Sequence, residues 1–147
     1  MNDDPGDGPL LELTEDVRGA ILDHARAGRP EEVCGVLGGR HGEEHSVVTS
    51  VEAAENVAPA PRREYEIAPT EVFESIERIE DDGDDVVGFY HSHPRGPAEP
   101  SATDRRQAAW PGYSYVIAVL ASDPTIRSWR WTGEAFVRER LILVEES

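Results

Sequence analysis

The sequence predicts a single α/β domain in which a mixed β-sheet is flanked by helices, and three observations carry that prediction. Its 147 residues suit one core and leave no room for two. Segments with apolar residues at helical spacing are interspersed with short runs rich in β-branched and aromatic residues. Glycine turn signals join two of those runs into a hairpin, so antiparallel pairs must share a sheet with helical crossovers.

Residues 1–9 are acidic and rich in Gly and Pro, and read as a disordered tail ahead of a domain over 10–147. Residues 10–13 are expected as a short strand. Thr14 then caps a helix over 15–27, with Glu15 and Asp16 in its electropositive first turn and Val17, Ile21 and Ala25 on its apolar face. Gly28 and Pro30 stop it. Residues 32–39 form a largely buried strand through Val33, Cys34, Val36 and Leu37. Its hairpin partner covers 46–51, across Gly38, Gly39 and Gly42. Residues 58–61 are a loop and 64–68 another short strand. Pro69 and Thr70 open a helix over 71–81 with Val72, Phe73, Ile76 and Ile79 on one side, ended by Gly83. Residues 85–93 are the third firm strand, 94–100 a proline-stiffened loop, and 102–110 a short helix. Strands over 113–121, 126–131 and 135–143 complete the chain.

Composition excludes several function classes. Thirty acidic against 14 basic residues give a net charge of −16, and every basic residue is arginine. So acidic a surface repels phosphate backbones, which argues against nucleic-acid partners. It reads as the solvated shell of a halophilic protein, or as an acidic docking face for a basic partner. The longest apolar stretch, 115–121, is far short of the roughly 20 residues of a membrane span, and the N-terminus lacks a secretory pattern. One cysteine permits no intrachain disulfide. A cytoplasmic, membrane-free protein is expected, with homo-oligomerisation left open.

The chemistry concentrates in His91-Ser92-His93-Pro94, continued by Ser101-Ala102-Thr103-Asp104. Residues two apart on a strand share a face, so His91 and His93 project side by side as half of a zinc site. Pro94 biases His93 toward extended geometry and helps end the ladder. The loop turns the chain so that Asp104, in the first turn of the next helix, can supply an oxygen ligand. Three protein ligands leave a fourth tetrahedral position open for water, the catalytic arrangement. Ser101 and Asp104 equally fit a capping box, and a capped helix start can also hold a ligand. The water needs a base, and Glu32, at the start of a buried strand where burial raises its pKa, is the best-placed carboxylate.

Taken whole, a distant Glu, His-x-His, seven residues, Ser, two residues and Asp resembles the JAMM (MPN-plus) metalloprotease family, with Pro-Glu-Glu-Val-Cys-Gly upstream. Asn56, the loop 59–63, Tyr65, Ile67 and Trp110-Pro111-Gly112-Tyr113 look like its compact prokaryotic and archaeal members, so the likeness spans residues 10 to 143. The resemblance implies an MPN domain, three-layered and cytidine-deaminase-like. It implies one zinc ion with a bound water, held by His91, His93 and Asp104. Glu32 would activate the water, its spacing from Gly35 selecting it over Glu31, and Ser101 would hydrogen-bond the oxyanion. The implied partners are ubiquitin-like modifier proteins and their conjugates. The implied activity is desampylase-like, hydrolysing the amide after the modifier's C-terminal glycine to free target lysines. An extended glycine tail can add as a strand along a sheet edge near the zinc. Processing of sulfur-carrier proteins is the alternative with the same chemistry. A noncatalytic MPN scaffold is a third reading, one that expects the metal ligands to be missing.

The remaining candidates read as structural. Cys34 is a small buried hydrophobe in an apolar strand. His41 and His45 flank a solvated turn, and His24 sits near a helix C-terminus. Arg62 and Arg63 are either solvated charge or a grip for a partner's tail or carboxylate. Trp110 is placed beneath the site, packed in the core.

Overall fold

The computed structural model describes residues 8–145, and among these the chain forms eight strands and three helices. β1 (Leu10–Thr14) runs into α1 (Glu15–Gly28), whose N-cap is Thr14: the Thr14 hydroxyl accepts the Val17 N–H at 3.2 Å. The hairpin follows as β2 (Cys34–Arg40) and β3 (His45–Ala54), antiparallel as expected. Then come α2 (Pro69–Asp81), β4 (Asp85–Ser92), α3 (Ala102–Gln107), β5 (Ser114–Val119), β6 (Thr125–Trp131), β7 (Phe136–Arg138) and β8 (Arg140–Val144). None of the helices is long and apolar enough to cross a membrane.

The eight strands share one mixed sheet in the order β7-β6-β5-β4-β2-β3-β1-β8. β1 lies parallel to β3 and β8, and β4 lies parallel to β5, while the other pairs are antiparallel. α1 and α3 are the crossovers that parallel neighbours require. Side-chain alternation gives the sheet a core on each face. Leu37, Val87, Tyr90 and Val116 pack under α1, whereas Val36, Phe89 and Tyr115 pack with Ile79 of α2. The expected mixed α/β architecture is therefore present in three layers.

Several expected elements differ. The tail expected over 1–9 lies outside the described residues for positions 1–7. Gly8 and Pro9 are tied by their carbonyls to Arg140. Residues 64–68 form no strand, because Asn56 takes up the hydrogen bonds a neighbouring strand would supply. Its side chain donates to Glu32 O at 2.9 Å and Glu64 O at 3.0 Å, and accepts from Ala58 N and Glu66 N. Phe73 is not on the packed side of α2 and is 62% exposed, since Val72, Ile76 and Ile79 already occupy the inward stripe. α3 ends at Gln107: the Ala108 N–H still donates to Asp104 O, but those of Ala109 and Trp110 turn to the Tyr115 hydroxyl.

The strand expected over 135–143 is split. β7 pairs with β6 at one end of the strand order and β8 with β1 at the other, with only Glu139 between them. The chain thereby brings the two ends of the sheet together. Glu139 is buried there and accepts hydrogen bonds from Ser114 Oγ, Ser128 Oγ and Arg130 Nε. Arg130 also donates to the carbonyls of Gly42 and Glu43 and to Ser46 Oγ. Removing one member of such a buried pair strands the other charge. Glu139→Ala is accordingly expected to destabilise the chain by about 3–5 kcal/mol, read as a fall in the denaturation midpoint with an unchanged denaturant slope.

Candidate metal centre

His91 ends the inward-facing run of β4, and His93 follows two residues later on the same face. β2 runs antiparallel to β4 with Cys34 opposite His91. The pairing continues past both strand ends: Ser92 N–H donates to Val33 O at 3.0 Å, and Val33 N–H to Ser92 Oγ at 2.9 Å. One step further, Glu32 comes up against His93, so that ligand atoms of Glu32, His91 and His93 all lie within 4.8 Å of one another. The His93 N–H is itself held by Ala118 O of β5 at 2.9 Å.

α3 supplies the fourth side chain. As the crossover from β4 to the parallel β5, it must start beside the C-terminal end of β4. Its first turn is a capping box: Ser101 Oγ accepts the Asp104 N–H at 3.0 Å, and Asp104 Oδ2 accepts the Ser101 N–H at 2.9 Å. The same Oδ2 lies 3.1 Å from His91 Nε2 and 3.1 Å from His93 Nε2, and the two nitrogens are 3.1 Å apart. Capping and convergence on the histidines thus coexist in one oxygen.

This triangle suits a cation. Pro97 O can only accept, so its 2.7 Å contact places a proton on His93 Nδ1, and neutral His93 turns the Nε2 lone pair toward Asp104. Buried electron-rich atoms this close require positive charge among them, as protons or as a metal ion. A tetrahedral ion with ligand bonds of about 2.0–2.1 Å spaces its ligand atoms roughly 3.3 Å apart, near the observed edge. Glu32 Oε1 and His91 Nδ1 are buried without hydrogen-bond partners among the described residues. The buried Glu, His and His with Asp104 therefore fit a metal site.

Electrostatics divide the two carboxylates. Burial raises the Asp104 carboxyl, but hydrogen bonds from both imidazoles and the Ser101 N–H outweigh it and hold Asp104 well below the usual range. Glu32 lacks such donors, and burial, opposed by His93 and assisted by Asp104 and Glu64, pushes it up to about 7. Burial lowers His91, whereas for His93 the bonds to Asp104 and Pro97 O overcome burial and raise it. Burial chiefly pushes the Cys34 thiol up to about 12, so it remains a thiol.

The group opens onto a cleft. Glu32, His93 and Ser101 line this cleft, of about 610 Å³, while His91 and Asp104 lie buried and do not line it. Other expected bystanders have separate partners: His24 Nδ1 meets Tyr90 OH, His41 Nε2 meets Gly112 O, and His45 Nε2 meets Glu12. Trp110 packs against Phe89 in the α2-side core. Sequence reasoning missed three supports. The Tyr65 ring stacks on His91 at 4.3 Å, Asn56 anchors the Glu32 carbonyl, and Pro97 O orients His93. Asn56 and Tyr65 stand out only as family-like residues, and a carbonyl has no sequence signature at all.

A mixed sheet between helices, with this buried group at the end of a parallel strand pair, defines a JAB/MPN-type domain. The chain belongs to the family described as prokaryotic homologs of the JAB domain, which it matches over residues 14–132. It is 47% identical over 139 residues to a desampylase of Haloferax volcanii, covering 92% of this chain and 96% of that one. It is 32% identical over 144 residues to the CysO-cysteine peptidase of Mycobacterium tuberculosis, covering 93% of each. A protein of Desulfitobacterium hafniense solved in solution superposes with a TM-score of 0.85 at 32% identity, over 93% of this chain and 94% of that one.

The raised Glu32 carboxyl has a stability consequence in the metal-free chain. Below its ordinary value of 4.5, Glu32 is protonated in both folded and unfolded states and contributes nothing. As pH rises toward 7 the unfolded chain ionises first, so the folded state loses stability relative to a variant that cannot ionise. Glu32→Gln is therefore expected to gain about 2–3 kcal/mol on the wild type between pH 4.5 and 8, checked by denaturation of both chains after chelation.

Proposed function

We propose that this chain is a zinc-dependent peptidase that hydrolyses the amide after the C-terminal glycine of a ubiquitin-like modifier, freeing target lysines. The observation that carries the reading is the 3.1 Å triangle of His91, His93 and Asp104 with Glu32 beside it at the wall of an open cleft. The desampylase and CysO-cysteine peptidase relatives cover almost the whole chain, and both names denote removal or peptidase chemistry. In this reading His91, His93 and Asp104 are the ligands, supported by Asp104 Oδ2 at 3.1 Å from both histidine Nε2 atoms. A zinc ion held there supplies Lewis acidity for the scissile carbonyl and lowers the pKa of water toward about 7.

The chain's own residues do the rest. Glu32, near neutral pKa and with Oε1 unpartnered, takes the proton of the attacking water and delivers it to the leaving amine. Ser101 Oγ is an acceptor in the capping box, which leaves its O–H free to donate to the oxyanion from the cleft wall. Segment 64–68, whose Tyr65 ring stacks on His91, is tied along one side to Asn56 and Val57 through Glu64 and Glu66, and its other side offers an edge for a glycine tail. The acidic, lysine-free composition supports a halophilic protein, and the single buried thiol supports a reducing compartment such as the cytoplasm.

The test is intact-mass analysis of a ubiquitin-like modifier joined through its C-terminal glycine to a lysine peptide, in molar KCl. Wild type releases the modifier, chelation stops release and zinc restores it. Glu32→Ala keeps stoichiometric zinc and loses at least 100-fold in rate, whereas Asp104→Ala loses zinc affinity. Full turnover by Glu32→Ala overturns its assignment. The 32% identity to a CysO-cysteine peptidase favours sulfur-carrier processing as the second reading. It predicts release of cysteine from a modifier–cysteine adduct without cleavage of the lysine conjugate.

A further inference from the structure

The cleft that opens onto Glu32 is also lined by Arg29, Arg62, Arg63 and Arg95. Apart from Glu32, the only carboxylate on its walls among the described residues is Glu99. A positive mouth on a chain of net charge −16 is a local inversion of sign. All four arginines are exposed, and none has a side-chain hydrogen bond or ion pair among the described residues. Three arginines elsewhere form ion pairs, Arg26 with Asp23, Arg78 with Glu52 and Arg130 with Glu139, while Arg18, Arg40 and Arg105 lie singly outside this cleft; the cleft differs in gathering four on its walls. Since every basic residue here is arginine, the placement is informative and the residue type is not.

Two of the four are fixed to Glu32 through the backbone. The Glu32 N–H donates to Pro61 O at 2.7 Å, immediately before Arg62, and Arg63 N–H closes the turn onto Ala60 O at 2.9 Å. Asn56 holds the carbonyls of Glu32 and Glu64 on either side. Arg29 is three residues upstream of Glu32. Elsewhere on the lining, Gly96 at φ 71° and its N–H to His93 O turn the loop that carries Arg95. A base that protonates the leaving nitrogen must lie within hydrogen-bond reach of it, so the groups fixed beside Glu32 face the leaving-group side.

Resting on the peptidase reading above, we propose that Arg62 and Arg63, with Arg29 and Arg95, form a leaving-group-side subsite that selects conjugates whose target lysine is flanked by Asp or Glu. Guanidinium forks pair with carboxylates in contact geometry, and the anchored turn fixes the backbone that carries two of them. At 1 M salt the Debye length is about 3 Å, so contact pairs persist where long-range attraction is lost.

The test uses three conjugates of one modifier, identical except that the residues flanking the modified lysine are Glu, Gln or Arg. Each is assayed for kcat/KM with zinc-loaded protein in 1 M KCl. The wild type is expected to prefer the Glu conjugate over the Gln conjugate by roughly three- to tenfold, and to disfavour the Arg conjugate. Arg62→Gln/Arg63→Gln brings the Glu/Gln ratio toward one, and Arg62→Glu/Arg63→Glu inverts the order. The ratio is internal to each variant, and Arg95→Gln, outside the Asn56-held turn, lowers it independently. Equal rates on all three conjugates, or an unchanged ratio in these variants, overturns the subsite while leaving the peptidase reading intact. No cleavage of any conjugate by folded, zinc-loaded wild type overturns both.

Discussion

The antiparallel register of β2 on β4 is the constraint on which the site depends. With Cys34 opposite His91, each step beyond the strand ends brings the next pair together, Val33 with Ser92 and then Glu32 with His93. A slip of one residue would turn Glu32 to the other face and bring Glu31 or Val33 to the histidines. Several features guard against that slip. Gly35 lies under the Tyr90 ring, where a Cβ would come within 2.3 Å, and against Glu52 O of β3, where it would come within 2.5 Å. The buried apolar pattern of both strands adds to this, because each face packs against a different helix.

The parallel pairing of β4 with β5 is the second half of the arrangement. A parallel neighbour needs a crossover, and a crossover needs a helix that starts near the end of the first strand. Here the loop 94–100 and α3 meet that need, and the helix start delivers Asp104. The capping box then fixes the carboxylate through the Ser101 N–H before any ligand is considered. Its charge is stabilised by the same contacts, while Glu32, with one oxygen unpartnered, is not. Two carboxylates at one site thus acquire different acidities from their hydrogen bonds, which is the usual basis for dividing roles between them.

Much of this was legible in the sequence because it rests on short-range rules. Thr14 as N-cap, the α1 stripe of Val17, Ile21 and Ala25, and the glycine-marked hairpin are local and were read directly. His91, His93 and Asp104 are close in sequence, and the structure brings them together at 3.1 Å. Glu32 is 59 residues from His91, so its approach follows from sheet register; its place at the head of a buried strand marks it as a candidate, and the family-like spacing selects it over Glu31. The misread element boundaries share a physical origin, competition from side-chain partners outside the element itself, which periodicity does not register. Asn56 turns the β-like 64–68 run into a loop, and the Tyr115 hydroxyl takes the N–H groups that would have lengthened α3. Glu139 interrupts an apolar run that periodicity reads as one strand, because its partners Arg130 and Ser128 lie at the sheet closure.

Charge placement ties these levels together. Thirty acidic side chains spread over one small domain favour water and counter-ions over contact with other anions. A cleft on such a surface is reached by an acidic macromolecule only where the local sign is reversed. The reversal here falls at the mouth beside Glu32, where four arginines line the walls and the carboxylate that catalysis would require lies 95% hidden from solvent. The turn carrying Arg62 and Arg63 hangs from the Glu32 N–H and from Asn56, and Asn56 also holds the Glu32 carbonyl. The hydrogen bonds that seat the proposed base therefore also seat the charges around it, and the cleft acquires its chemistry and its electrostatic selectivity from a single piece of backbone.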